Sequence, residues 1–273
     1  MTRQLGGKVA IVAGASKGIG MGIAVELGAA GAHVYALGRT LRAAEGQRGS
    51  LEETLAQIEA LGGQGTAIAC DATDDAALAE VFARVAQEQG RLDVLVNSVF
   101  LPQKLGPYIG SRFWETPAEH WDDIVEVGVR SAYIASRRAA PMLMETRAKH
   151  GGTPAIVNVT GRAALRYRYN VIYGVGKAAG ERLTRDMALD LKEHGVATFS
   201  IWPNGHAADP SKPETPRYNG RAVVALLSEA NLMERSGQHF WAAEIGAEYG
   251  FTDEHGHTHP IASLADEYSL DEA

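Results

Sequence analysis

The sequence predicts an α/β protein built on a doubly wound parallel sheet, and three observations support this. Short apolar runs alternate with longer amphipathic stretches, and strands alternating with helices specify a parallel sheet covered on both faces. The first apolar run passes into a glycine-rich turn and then a helical stretch, Ala13-Gly14-Ala15-Ser16-Lys17-Gly18-Ile19-Gly20. No composition break, low-complexity tract or internal repeat interrupts residues 1–273, so the chain reads as a single domain.

Each element has its own signal. Seven strands are predicted: Val9–Ala13, His33–Leu37, Thr66–Cys70, Val94–Asn97, Ala155–Thr160, Ala197–Ile201 and His239–Ala242. A helix begins near Gly18, and others cover about Ser50–Leu61, Asp74–Gln89, Pro117–Arg147, Val171–His194 and Arg217–Ser228. Asp74 and Asp75 are candidate caps for the third. In the longest, Trp121, Ile124, Val125, Gly128, Ala132 and Ala135 follow the helical period. Two segments read as irregular, residues 98–116 after the fourth strand and 203–216 after the sixth, the latter with four prolines in fourteen residues. Both follow strand C-termini, where open α/β sheets bind ligands.

Composition narrows the function. With 273 residues and 45% hydrophobic content the chain can bury a sizeable core without disulfides or structural metal. Cys70 is the sole cysteine and reads as a buried strand residue. A net charge of −7 offers no basic surface for nucleic acid or anionic membrane. No apolar run approaches the ~20 residues that span a bilayer, and Met1-Thr2-Arg3-Gln4-Leu5 lacks a signal-peptide core. A cytoplasmic protein is expected.

The glycine turn points to a dinucleotide. Gly14, Gly18 and Gly20 let backbone approach a pyrophosphate, and the helix N-terminus behind them offers free N–H groups and positive potential. Ser16, Lys17 and Ile19 belong to the same turn. At the end of the second strand stands Gly38-Arg39, where an acidic residue would accept from a free ribose 2′-hydroxyl. Arg39 instead suits a 2′-phosphate bidentately, with Lys17 adding charge, which favours NADP(H) over NAD(H). Asp71, Ala72, Asn97, Tyr173, Lys177 and Pro203 complete the expected cofactor set. Asp71 is a candidate acceptor for the adenine amino group, and Asn97 a candidate tie between loops.

The chemistry is expected from Tyr173-Gly174-Val175-Gly176-Lys177. Four residues apart on a helix, the tyrosine and lysine share a face. A free tyrosine has a pKa of about 10, and a nearby ammonium lowers it. Tyr173 then donates a proton to a carbonyl oxygen while a nicotinamide gives hydride to the carbon.

With these segments the chain resembles a short-chain dehydrogenase/reductase over essentially its whole length. The likeness also rests on Gly90-Arg91-Leu92-Asp93-Val94-Leu95-Val96-Asn97, Phe113-Trp114-Glu115-Thr116-Pro117, Trp121-Asp122-Asp123-Ile124, Val223-Val224-Ala225-Leu226 and Ser236-Gly237. It is strongest with the subfamily of animal dehydrogenase/reductase member 1. The resemblance implies a seven-stranded Rossmann-type sheet and NADPH-dependent reduction of ketones or aldehydes. It makes Tyr173 and Lys177 catalytic, and implies a homodimer or homotetramer built on the two long helices.

The departures matter equally. Against the family pattern, Ala13 replaces a threonine, Asn97-Ser98-Val99-Phe100 replaces an Asn-Asn-Ala-Gly run, and Gly128 replaces a relay asparagine. The usual catalytic serine position holds Gly161, preceded by Thr160, and Pro203-Asn204-Gly205 opens a shortened substrate lid. Removing such a donor lowers rate by about 10²–10³. Thr160 is a candidate replacement, although side-chain alternation along a strand turns it the opposite way. Tyr167, Tyr169, Arg162 and Arg166 are further candidates. A substrate needing less oxyanion support, an imine or enone, is an alternative, as is a nucleotide-binding scaffold or sensor with little turnover.

Other residues carry weaker signals. His255, His257 and His259 read as a polar surface turn rather than a metal site. His206 reads as a loop histidine, with a nicotinamide contact as the alternative. Phe100, Tyr108, Phe113 and Trp114 either line an apolar pocket or pack on the long helix.

Overall fold

The computed structural model describes residues 4–46, 48–204 and 213–261. Seven parallel strands form one sheet in the order β3-β2-β1-β4-β5-β6-β7: β1 Val9–Ala13, β2 His33–Gly38, β3 Gln64–Ala69, β4 Val94–Asn97, β5 Ala155–Val159, β6 Ala197–Trp202 and β7 His239–Trp241. The winding reverses between β1 and β4, whose registers join Ala10 to Val94 and Ala13 to Asn97. At that switch point the following loops diverge and leave a crevice at the carboxyl edge. The expected Rossmann-type, doubly wound α/β fold is therefore the observed one.

Helices cover both faces. On one side pack α1 (Gly18–Ala29), α2 (Leu51–Ala60) and α6 (Pro216–Leu227), around Val12, Ile23, Val34, Phe199 and Tyr218. On the other, α3 (Asp75–Gln89), α4 (residues 119–150) and α5 (Val171–Leu191) border a core of Ile11, Tyr35, Leu78, Phe82, Leu95 and Leu143. Helix α4 is one run made of Glu119–Trp121, a π-helical stretch Asp122–Arg130, and Ser131–His150. The central strands β1 and β4 are buried throughout, as two covered faces demand. Helices α1 and α6 meet closely, and a Cβ on Gly22 would lie 2.1 Å from the Pro216 carbonyl carbon. Glu26 clasps the same contact through Arg217 at 2.6 Å and Arg221 at 3.4 Å.

Helix starts follow local chemistry. Ser50 Oγ accepts from Glu53 N–H, Asp74 Oδ1 from Ala76 and Ala77 N–H, and Asn170 Oδ1 from Tyr173 N–H. Asp75 instead pairs with Arg138 of α4 at 2.6 Å.

Boundaries moved where packing overrode local pattern. Strand β3 begins at Gln64 and ends at Ala69, not Cys70. Gly65 does not stop it, because a Cβ there would lie 2.8 Å from Val34 O and close approach requires the glycine. Strand β7 ends at Trp241, which caps a helix absent from the sequence reading, α7 (Ala242–Tyr249). The segment expected to be irregular after β4 contains short turns of helix at Pro102–Leu105 and Gly106–Tyr108. Among the described residues, no helix is long and apolar enough to cross a membrane.

Candidate active site

The glycine turn is shaped by contact. Gly14 has φ +84, and a Cβ there would sit 2.4 Å from Ser98 O. Only glycine permits this approach between the loops after β1 and β4. A Cβ on Gly20 would meet Gly14 O at 2.3 Å, so Gly20 packs beneath the turn. The Lys17 side chain makes no capping bond to α1, and the first N–H groups of that helix face the crevice unspent. This donor set, positive potential included, suits an anion such as a pyrophosphate.

A cavity of about 550 Å³ opens from this turn along the carboxyl edge of the sheet, a size suited to a small-molecule ligand. Of the expected cofactor residues, Gly14, Ser16, Lys17, Gly18, Ile19, Arg39, Asp71, Ala72, Tyr173, Lys177 and Pro203 border it. Gly20 and Asn97 do not. Asn97 is buried, and its Nδ2 donates to Ser136 Oγ at 3.0 Å and Asn158 Oδ1 at 2.8 Å. It ties β4 to α4 and β5, a helix and a strand rather than the loops beyond them.

At the outer end, Lys17 and Arg39 are exposed cations bordering the cavity. Asp71 lies beside them. Burial pushes its carboxyl up, but Thr73 N–H and hydroxyl outweigh this, with Arg39 adding, so its pKa falls below the usual value. Cys70 also borders the cavity, and burial first, then neighbouring acids, pushes its thiol up to about 11. Such a thiol is a poor nucleophile.

At the inner end, Tyr173 and Lys177 face the cavity from one side of α5. Phe100 packs against both. Its ring lies 5.9 Å from that of Tyr173, edge to face, and 5.3 Å from Lys177 Nζ. Lys177 Nζ donates to Val159 O at 3.4 Å and sits 5.7 Å from the Tyr173 ring. Removal from water raises the Tyr173 phenol to about 12, with Tyr169 adding and the Arg168 and Arg162 cations opposing. It lowers Lys177 to about 8, against the Glu181 carboxylate. This corrects the expectation that the ammonium holds the phenol acidic. Burial is the larger effect on both groups, and Tyr173 is held neutral.

Two further expectations change, those for Thr160 and for the aromatic loop residues. Thr160 borders the cavity, but its hydroxyl donates to Glu181 Oε1, so it does not stand in for a serine beside Tyr173. Gly161 has φ +154 and ψ 168, and a Cβ there would meet none of the described residues within 4 Å. Backbone conformation rather than crowding favours glycine at that point. Of the four aromatics, only Phe100 borders the cavity. Tyr108 packs on His120 at 4.6 Å, while Phe113 and Trp114, 62% and 69% exposed, stack on each other.

The polar turn of histidines is organised by a carboxylate. Asp253 accepts from His255 N–H, His257 N–H and His259 Nε2, and His259 is buried against the Tyr218 ring. His206 lies outside the described residues, as do residues 205–212 of the segment after β6.

Sequence reasoning missed Glu181 and Arg168. Arg168 borders the cavity from an irregular loop, which offers no periodic signal. Tyr169 beside it holds φ +66 and stacks 5.1 Å from Tyr173. Glu181 did carry a signal, since Tyr173, Lys177 and Glu181 recur at every fourth position of one helix.

Comparisons with known proteins agree with this geometry. A family model described as short chain dehydrogenase matches residues 8–219. The human protein "Dehydrogenase/reductase SDR family member 1" is 36% identical over 281 residues, covering 94% of this chain and 86% of that one. A putative dehydrogenase from Xanthomonas campestris superposes with a TM-score of 0.79 at 24% identity, covering 93% of each chain. A metagenomic short-chain oxidoreductase crystallised with NADP superposes with a TM-score of 0.69 at 28% identity, covering 83% of this chain and 93% of its own. With its glycine turn and its Tyr173–Lys177 pair at the carboxyl edge of this sheet, the chain belongs to the short-chain dehydrogenase/reductase family of oxidoreductases.

Proposed function

We propose that the protein is an NADPH-dependent carbonyl reductase acting on an apolar or ring-bearing ketone or aldehyde. One observation carries the reading: the glycine turn, the Arg39 cation and the Tyr173–Lys177 pair all border one cavity. Bound there, a reduced nicotinamide supplies hydride to the carbonyl carbon. The chain's own groups do the remaining work. The N–H groups at the start of α1 hold pyrophosphate, and Arg39 with Lys17 pairs with a 2′-phosphate. The Tyr173 hydroxyl gives its proton to the carbonyl oxygen. A neutral phenol is the form that step needs, and burial supplies it. Lys177 stabilises the phenolate left behind. The Phe100 ring, packed on both groups, limits water around them.

The NADP complex of a relative 28% identical is consistent with this cofactor. The resemblance adds a homodimer or homotetramer through α4 and α5, where Trp121, Tyr133, Val175 and Leu189 are exposed. A second reading, reduction of a C=N or C=C bond, is favoured by Gly161 together with the turned-away Thr160 hydroxyl. Both leave the oxyanion side without a serine-type donor.

NADPH oxidation against a panel of ketones, aldehydes, imines and enones tests this. Turnover with a carbonyl that falls by about 10²–10⁴-fold in Tyr173→Phe is expected. A Tyr173→Phe variant as fast as the parent ends the reading. NADPH binding with no turnover across the panel points to a scaffold instead.

A further inference from the structure

Glu181 lies one helical turn beyond Lys177 on α5 and is buried, with 5% of its surface exposed. Its Oε1 accepts three hydrogen bonds, from Thr160 Oγ1, from Ser200 Oγ at 2.6 Å and from Trp202 Nε1 at 2.6 Å. Among the described residues its Oε2 has no hydrogen-bond partner, and His239 Nδ1 stands 3.9 Å away. The Trp202 indole is itself held flat against His239, with ring centroids 4.0 Å apart. The donors thus come from β6 and the end of β5, the strands that deliver Val159, Thr160 and Pro203 to the cavity.

This is a site built for charge. Three neutral donors converge on one oxygen, and they offset the desolvation that a buried carboxylate otherwise suffers. Packing alone would be met by an apolar side chain of the same volume. The cation on the same face is Lys177. Its surroundings include Tyr173 on its own helix, Val159 O from β5, and the Phe100 ring. The Arg162 and Arg168 cations act on Tyr173 from the loop after β5. The π-helical stretch of α4 brings Ile124 and Gly128 to the small space beside Lys177, neither of them charged. Among the described residues, Glu181 is the anion whose charge acts on Lys177.

We propose that Glu181 is a positioning residue acting through Lys177. Its buried negative charge keeps Lys177 an ammonium, and its grip on Thr160 holds the strand end whose Val159 carbonyl receives that ammonium. The proposal rests on the catalytic reading of Tyr173 and Lys177. An amine deprived of a nearby anion gives up its proton at lower pH.

The test is Glu181→Gln, which keeps shape and one acceptor while removing charge. The alkaline limb of kcat/KM for carbonyl reduction should move down by about one pH unit. Lys177 acetylation by acetic anhydride, followed against pH by mass spectrometry, should show the same downward shift without any turnover. Ser200→Ala removes one donor and leaves the charge, so its limb should stay in place. Should Glu181→Gln not fold, Glu181→Met carries the same expectation. A folded neutral variant whose Lys177 labelling midpoint matches the parent overturns the proposal. A parent that labels normally but turns nothing over defeats the carbonyl-reductase reading instead, and the labelling curves still test Glu181.

Discussion

Placing a serine at Gly161 sets two opposing effects against each other, and both can be sized. The backbone there holds φ +154 and ψ 168. A residue with a side chain pays about 1–3 kcal/mol in such a region. Restricting the unfolded chain returns about 0.4–1 kcal/mol. No collision with the described residues adds to this, because a Cβ would meet none of them within 4 Å. At mid-range the net loss is about 1.3 kcal/mol, which lowers Tm by roughly 3–5 °C in a domain of this size. Against it stands a new hydroxyl on the substrate side of Tyr173. A donor of this kind is worth about 10²–10³ in rate when well placed. On a strained backbone we expect about tenfold or more of that in kcat for a ketone. Gly161→Ala separates the effects, since it carries the strain without the hydroxyl. Thermal unfolding of both variants and steady-state NADPH oxidation are the assays. An alanine variant that melts at or above the parent refutes the backbone argument. A serine variant no faster than the alanine variant means that another group already serves the oxyanion.

Two further predictions concern Arg39 at the cavity and the buried Glu214, which does not line it. Arg39→Asp should weaken NADPH by about 10–100-fold relative to NADH, the worth of one or two charge-assisted bonds; equal loss of both in a binding titration removes the 2′-phosphate argument. Glu214 is buried, accepts from Asn204 N–H at 3.1 Å and Asn219 Nδ2 at 2.7 Å, and burial pushes its carboxyl up to about 7. The folded state therefore holds this proton more tightly than the unfolded chain. The resulting stability is complete below the ordinary glutamate pKa and is lost as pH rises through about 7. Glu214→Gln, which cannot ionise, should gain on the parent by about 3 kcal/mol between pH 4.5 and pH 8 in denaturant unfolding. Parallel pH curves for the two proteins would contradict it.

How much was legible depended on the range of the interactions involved. The strands β1, β2, β4 and β6 and the cap Asp74 arise from local pattern and neighbouring backbone. They lie in the structure close to where the residues alone place them. Helix α7 escaped notice because its start depends on Trp241 leaving the sheet, which is a matter of tertiary packing. Strand β3 was set two residues too late, because Gly65 looks like a strand breaker until Val34 is beside it. Phe113 and Trp114 read as either pocket-lining or packed on the long helix, yet their loop carries them to the surface.

Periodicity and spacing along the chain were enough for the order of strands and helices, the glycine turn and the shared face of Tyr173 and Lys177, since each depends on residues within a few positions. The state of those two side chains was not readable in that way. Whether an ammonium makes a phenol acidic turns on how far both are removed from water, and that follows from Phe100, Val159 and Glu181 closing around them from separate parts of the chain. The direction of the Thr160 hydroxyl has the same origin, because its acceptor lies 21 residues on and reaches it only when α5 packs across the end of β5.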